Sequence, residues 1–216
     1  MQNTESQVYQ GQFGEYTVEK SDRLGVIIYR AGLVIATVSF AIATNLIISQ
    51  GANPTALTAV TYLFFSFSIG LAISLSSIHI YLAILHRSLQ LFLLIGTIAA
   101  AIFTWQNSEP LALYVYNHPL SLLGVGFTFV ALTGIYFKEA FCFNRLETKL
   151  LTPLVPFLLL GHMAGILPNS AEQVFLALWT ILFTIFTVRK IIQPIVQNIG
   201  DKSNFEYLKQ QRSNSA

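Results

Sequence analysis

The sequence predicts an all-α protein, a polytopic transmembrane helical bundle of six spans with both termini on the cytoplasmic side. Three observations predict it. Of the 216 residues, 54% are apolar or aromatic and only 10% are charged, where a soluble domain carries about a quarter charged residues. Long windows without any charge alternate with short segments that hold nearly every Lys and Arg. When six spans are drawn, the basic residues fall on one side of the bilayer.

Residues 1–23 form a polar N-terminal segment with Glu5, Glu15, Glu19 and Asp22. A secretory leader begins instead with a basic stretch, a short apolar core and a small-residue cleavage site, so no cleaved leader is expected. The first span, Leu24 to Ile48, exceeds the roughly 20 residues that a hydrocarbon core requires. It contains Arg30 and ends at the turn-formers Ser49-Gln50-Gly51-Ala52-Asn53-Pro54.

From Ala56 to Trp105 the only formal charge is Arg87. A continuous helix there would be about 75 Å long, over twice a bilayer core, so the segment folds back on itself. His86-Arg87-Ser88 is the polar cluster near its middle. The hairpin is expected there, between a second span at 57–85 and a third at 89–105. A loop from Gln106 to His118 leads to the fourth span, 119–137, and a charged connector, Lys138 to Lys149, to the fifth, 150–167. Pro153 and Pro156 then fall in the first two turns, where unpaired backbone donors tolerate proline. After Pro168-Asn169-Ser170 the sixth span covers 171–188, closing a transmembrane domain of 24–193. The tail, 194–216, is polar, and from Gln197 onward is expected to be mobile.

Charge placement checks the count independently. With the N-terminus inside, the inner segments hold Lys20, Arg23, Arg87, Lys138, Arg145, Lys149, Arg189, Lys190, Lys202, Lys209 and Arg212. The outer loops hold none, and the twelfth basic residue is Arg30. Removing any one span would export the C-terminal basic cluster.

Small residues indicate how the spans pack, because helices in lipid associate through close backbone approach and polar contacts. The second helix carries Ser66, Gly70, Ser74 and Ser77 on one face and Ser68, Ala72, Ser76, His79 and Ala83 on the other. A central position is expected for it. Gly161 and Gly165 have GxxxG spacing, and Gly96 with Ala100 repeats it on the third helix, which points to contacts within the bundle. No repeat relates the two halves, so there is no symmetry argument for a transporter.

Three residues form the candidate inner-leaflet polar cluster. Arg30 is a charge on a spanning segment, in line with Thr37 and Thr44 and beside Asn45; such a charge faces the bundle interior or snorkels to the headgroups. His79 is expected at a similar depth below the same surface. Glu139, just past the inner end of the fourth helix, is the candidate counter-ion. The mixed-charge, aromatic connector after it suits an interfacial helix or a partner surface.

Other chemistries find little support. Two histidines at matching depth would be needed for bis-His haem, but His79, His86, His118 and His162 lie at different depths, and none is paired at helical spacing for zinc. Cys142 is the sole cysteine, so an internal disulfide and a cysteine-rich metal site are excluded. The six spans contain no carboxylate, unlike many proton-coupled carriers. There is no phosphate-cradling loop and no HExxH motif. No enzymatic activity, cofactor, metal or nucleic-acid partner is expected.

Gly14-Glu15-Tyr16 through Asp22-Arg23-Leu24-Gly25, Tyr29-Arg30-Ala31-Gly32-Leu33, Phe137-Lys138-Glu139-Ala140-Phe141-Cys142-Phe143, Glu147-Thr148-Lys149-Leu150-Leu151-Thr152-Pro153 and Gly161-His162 together resemble an uncharacterised family of integral membrane proteins, found chiefly in cyanobacteria. The resemblance extends over nearly the whole chain. It implies about six transmembrane helices and a cyanobacterial plasma or thylakoid membrane, and brings no catalytic residues. The expectation is a non-enzymatic membrane binding or assembly component, whose partners are the bilayer and other membrane proteins. The alternatives are a small-solute channel or carrier, with anions first, and then a haem-binding membrane protein.

Overall fold

Eight helices account for most of the chain in the computed structural model, which describes residues 8–78, 83–204 and 207. They are α1 (Lys20–Gln50), α2 (Pro54–Ser77), α3 (Ala83–Gln106), α4 (Leu111–Asn117), α5 (Leu122–Phe143), α6 (Leu146–Met163), α7 (Asn169–Ile192) and α8 (Ile195–Ile199). Among the described residues, five helical segments are long and apolar enough to cross a membrane: α1, α2, α3, Pro119–Phe143 and α7. The 18-residue α6 is not among them. The all-α polytopic bundle is therefore observed, with one addition, a short hairpin of β1 (Val8–Gln10) and β2 (Glu15–Thr17). The hairpin forms because β-prone Tyr9 and Tyr16 pair across it with stacked rings.

The long helices form a ring, with contacts running α1–α2–α3–α5–α6–α7 and back to α1. α2 is thus a member of the ring rather than its centre. Its Gly70 and Ser74 face lies against Gly32 of α1: a Cβ at Gly70 would fall 2.6 Å from the Ala36 amide nitrogen, and the Ser74 hydroxyl donates to the Tyr29 carbonyl at 2.9 Å. Gly96 similarly meets the backbone of Thr128 on α5. The Gly161/Gly165 pair behaves differently from a packing motif. α6 stops at Met163, and Gly165, at φ 65°, closes the turn with Gly165 N–H donating to His162 O and Ile166 N–H to Gly161 O.

Helix boundaries depart from expectation where polar side chains find backbone partners. The turn after α2 comes at Ile78, not at His86-Arg87-Ser88, which are helical residues of α3. Ser88 donates to Ile84 O within α3. The His86 and Gln90 side chains reach the Leu75 carbonyl near the end of α2, at 2.5 and 3.2 Å, so polar groups that suggest a turn are instead used to satisfy a helix terminus. The expected loop before the fourth span contains α4, tied to α2 by Leu111 N–H donating to Thr61 Oγ1.

The connector after the fourth span is almost absent. α5 runs on to Phe143 and α6 begins at Leu146, with Asn144 turning the chain in the left-handed region at φ 52°. Pro153 and Pro156 consequently lie inside α6 rather than at its start. A layer of buried aromatic residues closes the middle of the ring: Phe40, Phe67, Tyr136, Trp179, Phe183 and Phe186. Trp179 Nε1–H donates to the Tyr136 hydroxyl at 3.2 Å, satisfying the one polar group on its ring.

The described segments nearest the two termini meet at one end of the bundle. The Gln12 amide donates to Asp201 Oδ2 at 2.7 Å, the Phe13 amide to Ser203 Oγ at 3.1 Å, and Lys202 Nζ to Asp22 Oδ2 at 2.8 Å. Phe13 also stacks on Tyr207 at 4.1 Å. The described part of the tail is therefore docked on the N-terminal hairpin.

Candidate functional site

The terminus-bearing end of the ring contains a buried ionic network, and sequence-adjacent Lys138 and Glu139 enter it because α5 continues past the apolar run. Glu139 is fully buried. Its Oε2 accepts from Lys190 Nζ of α7 at 2.6 Å, and its Oε1 accepts from Lys138 Nζ at 3.0 Å and the Tyr29 hydroxyl of α1 at 3.3 Å. Lys190 has no exposed surface either. Its ammonium sits 4.2 Å from the Phe143 ring centroid and 5.7 Å from that of Tyr29, so π-systems as well as the carboxylate surround it. One carboxylate thus joins α1, α5 and α7.

Arg30 lies in the next part of this network. Its guanidinium donates to the carbonyls of Ile191, at 3.0 Å, and Gln193. These belong to the C-terminal end of α7, where carbonyls lack helical donors and a cation is favoured. Arg145 Nη2 donates to the Gln193 side-chain oxygen at 2.9 Å, and Arg189 pairs with Glu147 at 2.7 Å. Thr37 and Thr187 share a hydrogen bond of 2.6 Å one turn deeper. Arg30 Nε and Arg145 Nη1 are buried without a hydrogen-bond partner among the described residues.

Of the three candidates proposed from sequence, Arg30 and Glu139 lie in the same end of the ring, joined through Tyr29, Lys190 and Gln193 rather than by direct pairing. Glu139 takes Lys190 and Lys138 as its counter-ions. His79 lies outside the described residues. The stripe from Arg30 through Thr37 and Thr44 bonds to the same helix throughout, Thr37 to Thr187 and Thr44 to Thr180, so it is the seam between α1 and α7.

Sequence reasoning missed Lys190, treated as a loop charge beyond the sixth span. Its signal was helical register: Trp179, Phe183, Phe186 and Lys190 recur at intervals of three and four on one buried face. The three described histidines are dispersed. His86 bonds to Leu75 O, His118 to Tyr114 O and His162 to Glu172. Among the described residues no group of three or more His, Cys, Asp or Glu side chains is arranged to hold a metal.

A family model described as "Uncharacterized integral membrane protein (DUF2301)" matches residues 73–207, more than half of the chain. The chain belongs to this family. The matched region contains Glu139, Lys190 and the turn between α5 and α6, while Arg30 and Tyr29 precede it. Together with the apolar helices, membership makes this an integral membrane protein. A Haemophilus influenzae protein described as uncharacterized is 27% identical over 186 residues, covering 86% of this chain and 92% of the relative. Neither match carries the restriction to cyanobacteria implied by the resemblance. No solved structure matches the chain.

Proposed function

We propose that the protein is a non-enzymatic component of a bacterial membrane, plasma or thylakoid, that binds or helps assemble other membrane components at its terminus-bearing end. In this reading six helices cross the bilayer, α6 included, and both termini face the cytoplasm. The shared end of the two termini supports an even number of crossings. At 18 residues, α6 is about 27 Å long, close to the roughly 30 Å of a hydrocarbon core. The one-sided distribution of Lys and Arg supports the orientation.

The observation that carries the assembly reading is the sealed Glu139–Lys190 pair beneath a packed aromatic layer. The strongest charges in the ring hold helices together instead of lining a path. What a partner would meet is the clasp of hairpin and tail and, at the turn between α5 and α6, the exposed Phe141 (84%) and Leu146 (68%). Affinity purification from native membranes should therefore recover the same membrane proteins repeatedly. Normal abundance and assembly of every membrane complex after deletion of the protein would count against the proposal.

A small-solute channel or carrier, with anions as cargo, is the second reading. It is favoured by the two unpartnered guanidinium nitrogens of Arg30 and Arg145, in a network with more basic than acidic groups. Its test is anion flux in liposomes, where Arg30→Ala protein equal to wild type removes the reason for it.

A further inference from the structure

At the opposite end of the ring, a cavity of about 210 Å³ lies between α1, α2, α4, α5, α6 and α7, with Phe40, Phe64, Val125, Leu158 and Trp179 among its walls. It exceeds the roughly 150 Å³ of an apolar protein cavity that accepts benzene. It is smaller than the roughly 300–1,000 Å³ pockets of drug-sized ligands. That volume suits one short hydrocarbon chain. Its wall hydroxyls are already engaged: Thr61 donates to Leu57 O and accepts from Leu111 N–H, Ser39 donates to Ser66, and Thr44 accepts from Thr180. Ordered water, which needs about two to four polar partners, is poorly served there.

One turn beyond the walls the chemistry changes. His162 follows Leu158 by four residues on α6, Glu172 precedes Leu176 by four on α7, and Tyr116 follows Ala112 by four on α4, so each shares a helix face with a cavity-lining residue. His162 Nδ1 lies 2.8 Å from Glu172 Oε1, and the Tyr116 ring is 5.0 Å from the imidazole. His162 Nε2 is buried and has no hydrogen-bond partner among the described residues. A neutral imidazole that donates Nδ1–H to the carboxylate keeps Nε2 as an acceptor.

We propose that the cavity and the His162–Glu172 pair above it form a binding site for a lipid alcohol, a single hydrocarbon chain ending in a hydroxyl. The chain fills the apolar space and the hydroxyl donates to His162 Nε2. A fatty-acid carboxylate lacks that donor and would face Glu172, and a phospholipid brings a second chain and a charged head. The site is at the other end of the ring from the assembly surface, so it stands or falls separately from that reading.

Trp179 lines the cavity, and the second tryptophan, Trp105, is exposed, which allows a direct assay. Trp105→Phe protein in nanodiscs is titrated with mid-chain dibrominated octanol, its methyl ether, the matching fatty acid and a phosphatidylcholine carrying the same chain. Saturable quenching of Trp179 by the alcohol is expected, with the ether and the acid about tenfold weaker. His162→Leu should bring the alcohol to the level of the ether, and Ala112→Phe, which fills the cavity, should remove saturable quenching. Absence of saturable quenching would overturn the proposal. So would equal affinity for the alcohol and its ether, or phosphatidylcholine binding as tight as the alcohol, both read on protein without changes in the site.

Discussion

Replacing Glu139 by Leu leaves Lys190 buried in the ring with the Phe143 and Tyr29 rings as its remaining neighbours at that end. Removing one member of a buried ion pair costs about 3–5 kcal/mol, because the surviving charge is uncompensated. The reverse substitution, Lys190→Met, is milder. Glu139 keeps Lys138 at 3.0 Å and the Tyr29 hydroxyl at 3.3 Å, so the loss should be about 1.5–3 kcal/mol, the range for a single hydrogen bond to a charged group. The double variant Glu139→Leu/Lys190→Met removes both charges, and Lys138, at the margin of the network, can turn its ammonium outward. It should therefore be more stable than Glu139→Leu alone. Reversible unfolding in mixed micelles, followed by circular dichroism in a double-mutant cycle, measures these differences. A Glu139→Leu protein within about 1 kcal/mol of wild type, or a double variant as unstable as the sum of the singles, would refute the reasoning.

Three further outcomes are expected. Arg30→Leu removes charged donors from the carbonyls of Ile191 and Gln193 and should cost about 1.5 kcal/mol, seen as roughly tenfold faster amide exchange at the end of α7. Gly70→Ala drives a Cβ into the α1 backbone and should destabilise by about 1–3 kcal/mol in the same unfolding assay. The clasp of the termini should respond to acid: partial burial pushes the Asp201 carboxyl up, but hydrogen bonds from the Gln12 amide and the Ser203 hydroxyl and amide outweigh it and hold it below its ordinary value. A depressed carboxyl contributes fully above its unfolded pKa, about 3.9, and loses that contribution as pH falls through the folded value. Proximity of Phe13 and Tyr207, followed by a cysteine cross-link between these positions, should thus be maintained at neutral pH and lost in acid, and Asp201→Asn should weaken it at neutral pH.

The membrane class and the apolar helices were legible because charge is so unevenly spread. Helix ends were not, because a polar residue is read as a turn unless its partner is known. His86 and Gln90 satisfy the end of α2, and Lys138 and Glu139 remain helical because Lys190 awaits them, contacts set by tertiary structure alone. Arg30 and Glu139 were legible as a charge in a span and a carboxylate at its edge. Their true partners, Ile191 and Gln193 for one and Lys190 for the other, lie more than fifty residues away in sequence. The clasp escaped for a similar reason: Gln12, Asp201 and Ser203 look like solvated polar tail until the chain ends are brought together.

The terminus-bearing end, in the function proposed above, holds other membrane components. Cross-linking in intact native membranes from the exposed Cys142, beside the turn between α5 and α6, followed by identification of the products, probes this end in place. A reproducible set of membrane-protein adducts is expected, and a bulky group attached to Cys142 should prevent them. Intact protein in the membrane that forms no specific adduct from this position, and migrates alone on native gels, would contradict it.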